Sequence, residues 1–86
     1  MYVVLKYVKN VQIYDLELLS YGIDEPMCEL NHLKMYQLGV KYFSPTEVRT
    51  SVFHPNIVFI KTAVQVIVVD YNRECVPKLL GIINPV

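Results

Sequence analysis

Tryptophan is missing from this chain of 86 residues, glycine occurs three times and cysteine twice. So little glycine excludes collagen-like character, and no unit repeats at the ~20–50-residue period of a solenoid. Two cysteines are too few for the disulfide framework of many small secreted domains. Charge is scarce too: 19% of residues are charged, eight basic against eight acidic, so the net charge is zero. No whole-molecule field therefore draws a polyanion. Intrinsic disorder, which needs low hydrophobicity and high net charge, is excluded as well. The phosphate-cradling and nucleophile-elbow patterns G-x-x-x-x-G-K-[ST], G-x-G-x-x-G and G-x-S-x-G do not occur.

What the chain has is apolar bulk. Apolar residues make up 53% of it, and there are seven tyrosines. At about 10 kDa this is one domain, 1–86, near the size where a single core suffices only if densely packed. The stretch 50–69 is long enough to span a bilayer, but Lys61 and His54-Pro55-Asn56 interrupt it and β-branched residues dominate, which suits a buried strand. No membrane partner is expected. The N-terminal residues lack the charged region and cleavage site of a signal peptide and read as a first strand, which points to an intracellular, cytoplasmic protein with reduced thiols.

The spacing predicts an α+β domain: a small mixed or antiparallel sheet with one main helix over 26–38 and a short one over 45–52. Val3, Leu5 and Tyr7 alternate with Lys6 in a first strand that turns at Lys9-Asn10. In 11–19 the apolar residues change parity, so a strand needs a bulge near Ile13-Tyr14, while Val11, Tyr14 and Leu18 recur at the spacing of a short helix; the alternation of Asp15 and Glu17 with leucines favours the strand. Pro26 opens the main helix, Met27, Leu30, Leu33, Tyr36 and Leu38 form its apolar stripe, and Gly39 stops it. Leu30 and Leu33 are expected in the core. Ser44-Pro45-Thr46-Glu47 is a capping-box pattern for the second helix. The strongest strand runs over 57–69, with no residue at Lys61-Thr62 suited to a tight turn. Asp70-Tyr71-Asn72-Arg73 turns the chain into a short edge strand around Leu79–Ile83.

Chemistry-bearing residues are few. Cys28, His32, His54 and Cys75 are the whole cysteine and histidine inventory. On a helix Cys28 and His32 would share a face, yet the other two lack the tight pairing of structural zinc sites, so no metal is expected. A Cys28–Cys75 disulfide requires an oxidising or hyperthermophilic setting. Neither thiol has the electropositive surroundings of a nucleophile, because Glu29 and Glu74 adjoin them. Asp70, with Asp15 and Glu17, is the one carboxylate group that could hold Mg²⁺ in a small nuclease or hydrolase. Tyr2, Tyr7 and Tyr42 lie near Lys6, Lys9 and Lys41, the elements of a surface that stacks single-stranded bases. Residues 1–29 carry a balance of −3 (two basic, five acidic) and 30–86 a balance of +3 (six basic, three acidic), too little for a phosphate track.

These observations favour a non-enzymatic, self-associating interaction or regulatory protein without a cofactor. A nucleic-acid-binding regulator and a small metal-dependent hydrolase are the alternatives. The composition also resembles that of small proteins of viruses and other mobile elements. A 53% apolar chain of this size leaves hydrophobic surface over, so a homo-oligomer, a dimer above all, is expected around 57–69. Its odd-numbered face, Phe59, Lys61, Ala63, Gln65 and Ile67, is the expected interface, and a host macromolecule is a further possible partner.

Overall fold

The computed structural model describes residues 2–41, 43–72 and 76–84. Within them the chain forms strands β1 (Tyr2–Lys6) and β2 (Val11–Asp15), helix α1 (Leu16–Ser20), strand β3 (Cys28–Leu30), helix α2 (His32–Gln37), then strands β4 (Glu47–Thr50), β5 (Ile57–Lys61), β6 (Val66–Asp70) and β7 (Lys78–Ile83). Two antiparallel sheets result, ordered β1-β2-β3 and β4-β5-β6-β7. The α+β character holds, but the molecule is richer in strand than one main helix implies.

One hydrophobic cluster joins the sheets. Val11, Ile13, Cys28 and Leu30 enter it from the first sheet, and Val58, Ile60, Ile67 and Val69 from the second. Met35, Val40, Phe43 and Tyr71 fill it from the connections. In the first sheet Val11 opposes Leu30 and Ile13 opposes Cys28, so cross-strand pairs line the inner face. In the second, Val58 opposes Val69 and Ile60 opposes Ile67. Strand β1 lies beside β4, so these two edges shield one another.

Five expectations need correction. The helix expected over 26–38 splits into β3 and α2. The Met27 N–H donates to the Ile13 carbonyl at 2.7 Å, which begins the pairing with β2 before any helical turn can form. The helix starts only after Asn31, whose side chain accepts from the Lys34 N–H at 2.9 Å as the N-cap. Cys28 and His32 therefore share no helical face, and Leu33 is 66% exposed while Met35 takes the buried position. The stop at Gly39 holds: its φ of 95° lets the Gly39 and Val40 N–H groups bond the Tyr36 and Met35 carbonyls in a Schellman closure.

The helix expected over 45–52 is strand β4 instead. Thr46 donates both its N–H and its hydroxyl to the Lys61 carbonyl, at 2.8 and 3.1 Å, so the capping-box threonine begins a sheet ladder. The bulged strand expected over 11–19 ends at Asp15, whose carboxylate caps α1 by accepting from the Glu17 N–H at 2.9 Å. No bulge is required, because Leu16 and Leu18 stay exposed. In the first strand it is Tyr2 and Val4 that pack on the core, while Leu5 and Tyr7 are exposed.

The long strand over 57–69 is a hairpin, β5 and β6 joined through 62–65. Thr62 makes the turn that glycine usually makes. Its N–H donates to the Gln65 carbonyl at 2.8 Å, and its hydroxyl donates to that carbonyl and accepts from the Gln65 N–H, both at 3.2 Å. The edge strand expected near Leu79–Ile83 is β7, at the outer edge of its sheet. Ahead of it the Asn72 side chain accepts from the Val76 N–H at 3.1 Å, while Arg73 lies outside the described residues.

Candidate interaction surface

The register of the second sheet decides which side chains leave the core. Antiparallel pairing here sets odd residues of β5 opposite even residues of β6: Ile57 with Asp70, Phe59 with Val68, Lys61 with Val66. These point away from the buried Val58, Ile60, Ile67 and Val69, and the rows extend to Arg49 and Glu47 of β4 and to Gly81 and Ile83 of β7. The outer face thus has Phe59 and Val68 in its middle row, Val66 and Ile83 in the row of Lys61, and Ile57 in the row of Asp70. Lys61 stands at one end of the hairpin and Asp70 at the other. Glu47 and Arg49 form an ion pair at the β4 edge.

Of the five residues expected at the interface, Phe59 and Lys61 lie on this face, and Ala63 and Gln65 lie in the connection at one end of it. Ile67 does not. It is fully buried opposite Ile60, because the hairpin reverses the parity that a single strand would keep. Pairing edge to edge through 57–69 is also closed, since β5 and β6 both have neighbours on either side.

The outer face of the first sheet is different. There Tyr14 donates to Gln12 at 2.7 Å, Gln12 donates to Glu29 at 3.4 Å, and Asn10 donates to the other Glu29 oxygen at 3.2 Å. Loss of surrounding water, then Tyr7, Asp24 and Glu29, push the Tyr14 phenol above its ordinary range. Polar groups that already satisfy one another gain little from a partner.

The catalytic alternatives find no shared site. Asp15 is buried on β2, where it caps α1, whereas Asp70 faces outward from the other sheet. Among the described residues no three His, Cys, Asp or Glu side chains group as a metal would need. His32 stacks on Tyr36, with ring centroids 6.4 Å apart, and His54 is exposed between β4 and β5. Cys28 is disulfide-bonded, so the expectation of reduced thiols fails for it. Cys75, the only other cysteine in the sequence, lies outside the described residues. A cleft of about 340 Å³ between Tyr2, Thr50, Ser51, Val52, Pro55 and Tyr71 is lined by the aliphatic hydroxyls of Thr50 and Ser51 and by two tyrosines. The Ser51 hydroxyl accepts from the His54 backbone N–H at 3.1 Å, and none of the lining residues is a base that could activate it.

The stacking surface is dispersed in the same way. Tyr2 packs edge-on against Tyr71 and Lys41 lines a cleft with Val64 and Ile82, while Lys6, Tyr7 and Lys9 are exposed around the β1–β2 turn. Tyr42 lies outside the described residues. No described helix is long and apolar enough to cross a membrane.

Sequence reasoning missed Val52 and Phe53, which are 92% and 88% exposed in the β4–β5 connection. Two apolar residues set directly against the breaker His54-Pro55-Asn56 were the available signal, since no strand can bury both there. No protein-family model, curated protein or solved structure matches the chain.

Proposed function

We propose that the protein acts without catalysis, as a self-associating interaction protein whose homodimer pairs the outer faces of two β4–β7 sheets. The observation that carries this reading is the placement of Lys61 and Asp70 at opposite ends of one hairpin face with Phe59 and Val68 between them. A twofold axis lying between two stacked sheets, and bisecting the line from Lys61 to Asp70, sets each lysine over the other copy's aspartate. Both ion pairs form in one operation, and the apolar centre is covered at once. A mixed apolar centre with a charged border is the anatomy of a moderate interface.

The disulfide at Cys28 supports an oxidising compartment, or a hyperthermophilic cell if the setting is intracellular. A viral or mobile-element origin rests on composition alone. Light scattering coupled to size exclusion tests the dimer: at least twice the 10.0 kDa chain mass is expected at micromolar concentration. Lys61→Asp sets carboxylates opposite each other and should give monomer. Adding Asp70→Lys restores the complementarity and should restore the dimer. A wild-type monomer, or a double variant no better than the single one, would sink this arrangement.

A further inference from the structure

From the one glycine set inside a strand we infer a size lock between two copies of the chain, in which Ile83 of one copy fills the space over Gly81 of the other. The inference rests on the outer-face dimer proposed above and adds the residues that fix its register. Gly81 stands within β7, opposite Val68. The fold of the chain itself does not call for glycine there. Positive φ belongs to Gly22 and Gly39 and not to Gly81. Nor is the position crowded: beyond its chain neighbours, no described atom lies within 4 Å of where a Cβ would stand. Glycine in a strand interior gives up entropy and packing, and it often marks a place where another chain comes close.

The missing side chain leaves a gap on the outer face. Its row runs Arg49, Phe59, Val68, Gly81, and the neighbouring row of Lys61 ends in Ile83, which is 57% exposed. Gap and knob thus share one strand and one face, two residues apart. The axis that sets Lys61 over Asp70 stands perpendicular to the line between them. That line is oblique, from β5 at one end of the face to β6 at the other. The axis therefore crosses the middle row between Phe59 and Val68 and slants toward the row of Ile83 as it nears β7. With strands about 4.8 Å apart and outward residues of one strand ~6.8 Å apart, it passes β7 between Gly81 and Ile83. A half-turn about it exchanges their places, so Ile83 of each copy descends on Gly81 of the other, twice in one dimer.

Charge and size then agree on a second copy as the occupant. One operation brings Asp70 to Lys61 and Ile83 to Gly81. An axis along β6 would also cover Gly81, with Phe59, but it would lay Asp70 on Asp70. A β-branched residue at 81, which a strand favours, would hold the two sheets apart at both places.

Size exclusion with light scattering over a dilution series, on the full chain, reads the dimer Kd. Gly81→Val should raise it about tenfold or more, while the melting of the dilute monomer stays the same or rises, because nothing described crowds the new side chain. Ile83→Ala should weaken the dimer less, and adding it to Gly81→Val should restore association. Mixed in equal amounts, the two single variants should form a heterodimer tighter than either homodimer, visible by native mass spectrometry, since valine then meets alanine and isoleucine meets glycine. If Gly81→Val does not fold, Ile83→Trp enlarges the knob from its exposed side and should weaken the dimer likewise. An undiminished dimer in these variants, no excess of heterodimer, or rescue of Gly81→Val by Phe59→Ala rather than Ile83→Ala would overturn the lock. A monomeric wild-type chain would remove the outer-face dimer and the lock together. Restored pairing in Lys61→Asp/Asp70→Lys beside an indifferent Gly81→Val would remove the lock alone.

Discussion

Tyr71 donates its hydroxyl hydrogen to the Pro55 carbonyl at 2.7 Å, while its own backbone N–H bonds the Asn56 carbonyl at 2.9 Å. One residue after β6 thus holds the β4–β5 connection by two bonds. Its ring meets Tyr2 of the other sheet edge-on, at 5.6 Å and 73°. Tyr71→Phe keeps that ring contact and leaves the Pro55 carbonyl without its donor, so unfolding in urea should show a loss of about 1–2 kcal/mol. An unchanged midpoint would mean that water replaces the hydroxyl at no cost.

Burial, with a smaller contribution from Tyr2, pushes the Tyr71 phenol up to about 12 from 10.0. Below pH 10 both the folded and the unfolded chain keep this phenol neutral, and its contribution to stability is whole. Between pH 10 and about 12 only the unfolded chain ionises there, so stability should fall as pH rises through that window. In Tyr71→Phe this part of the alkaline loss should vanish. Denaturant midpoints measured from pH 9 upward, for both proteins, would show it.

Leu30 and Leu33 part company in the structure. Leu30 is fully buried opposite Val11, so Leu30→Ala should cost about 2–5 kcal/mol. Leu33 faces solvent on α2, and Leu33→Ala should stay within about half a kcal/mol. A large loss at Leu33 would return it to the core and revive the longer helix.

That pair also shows how far the sequence could be read. Breakers were legible: Gly39 adopts positive φ and closes α2, and Lys9-Asn10 turns β1 into β2, with the Tyr7 N–H on the Asn10 carbonyl. The edge strand near Leu79–Ile83 was legible from its glycine and flanking prolines. Helix against strand was not. The stripe Met27, Leu30, Leu33 fits helical spacing, yet β2 offers Met27, Cys28 and Leu30 a ladder, and tertiary pairing outweighs a weak local preference. The interface parity failed at Ile67 for one reason, a turn made by a threonine side chain that no glycine or asparagine announces.

The turn gives its own test. Thr62 is buried, and its hydroxyl satisfies the Gln65 N–H and carbonyl within one loop. Thr62→Val keeps the shape and removes these two bonds, together with the 3.4 Å bond that the hydroxyl accepts from the Val64 N–H. The expected cost is about 1–3 kcal/mol, and Thr62→Ser should recover most of it. A larger loss in Thr62→Ser than in Thr62→Val would show that the methyl group, rather than the hydroxyl, holds the turn.

Cys28 ties β3 to another part of the chain from a buried position, so reduction should be slow and costly. A strand of three residues paired on one side has little else to hold it. Removing a disulfide from a small domain typically costs about 2–5 kcal/mol, which for a chain this size is a fall of roughly 10 °C or more in Tm. Calorimetry with and without reductant should show that fall, and Cys28→Ala without reductant should reproduce it. Non-reducing peptide mapping should find the Cys28 peptide joined to the one containing Cys75. A Tm indifferent to reductant, together with two alkylatable thiols in the native protein, would show that the bridge does not form in solution.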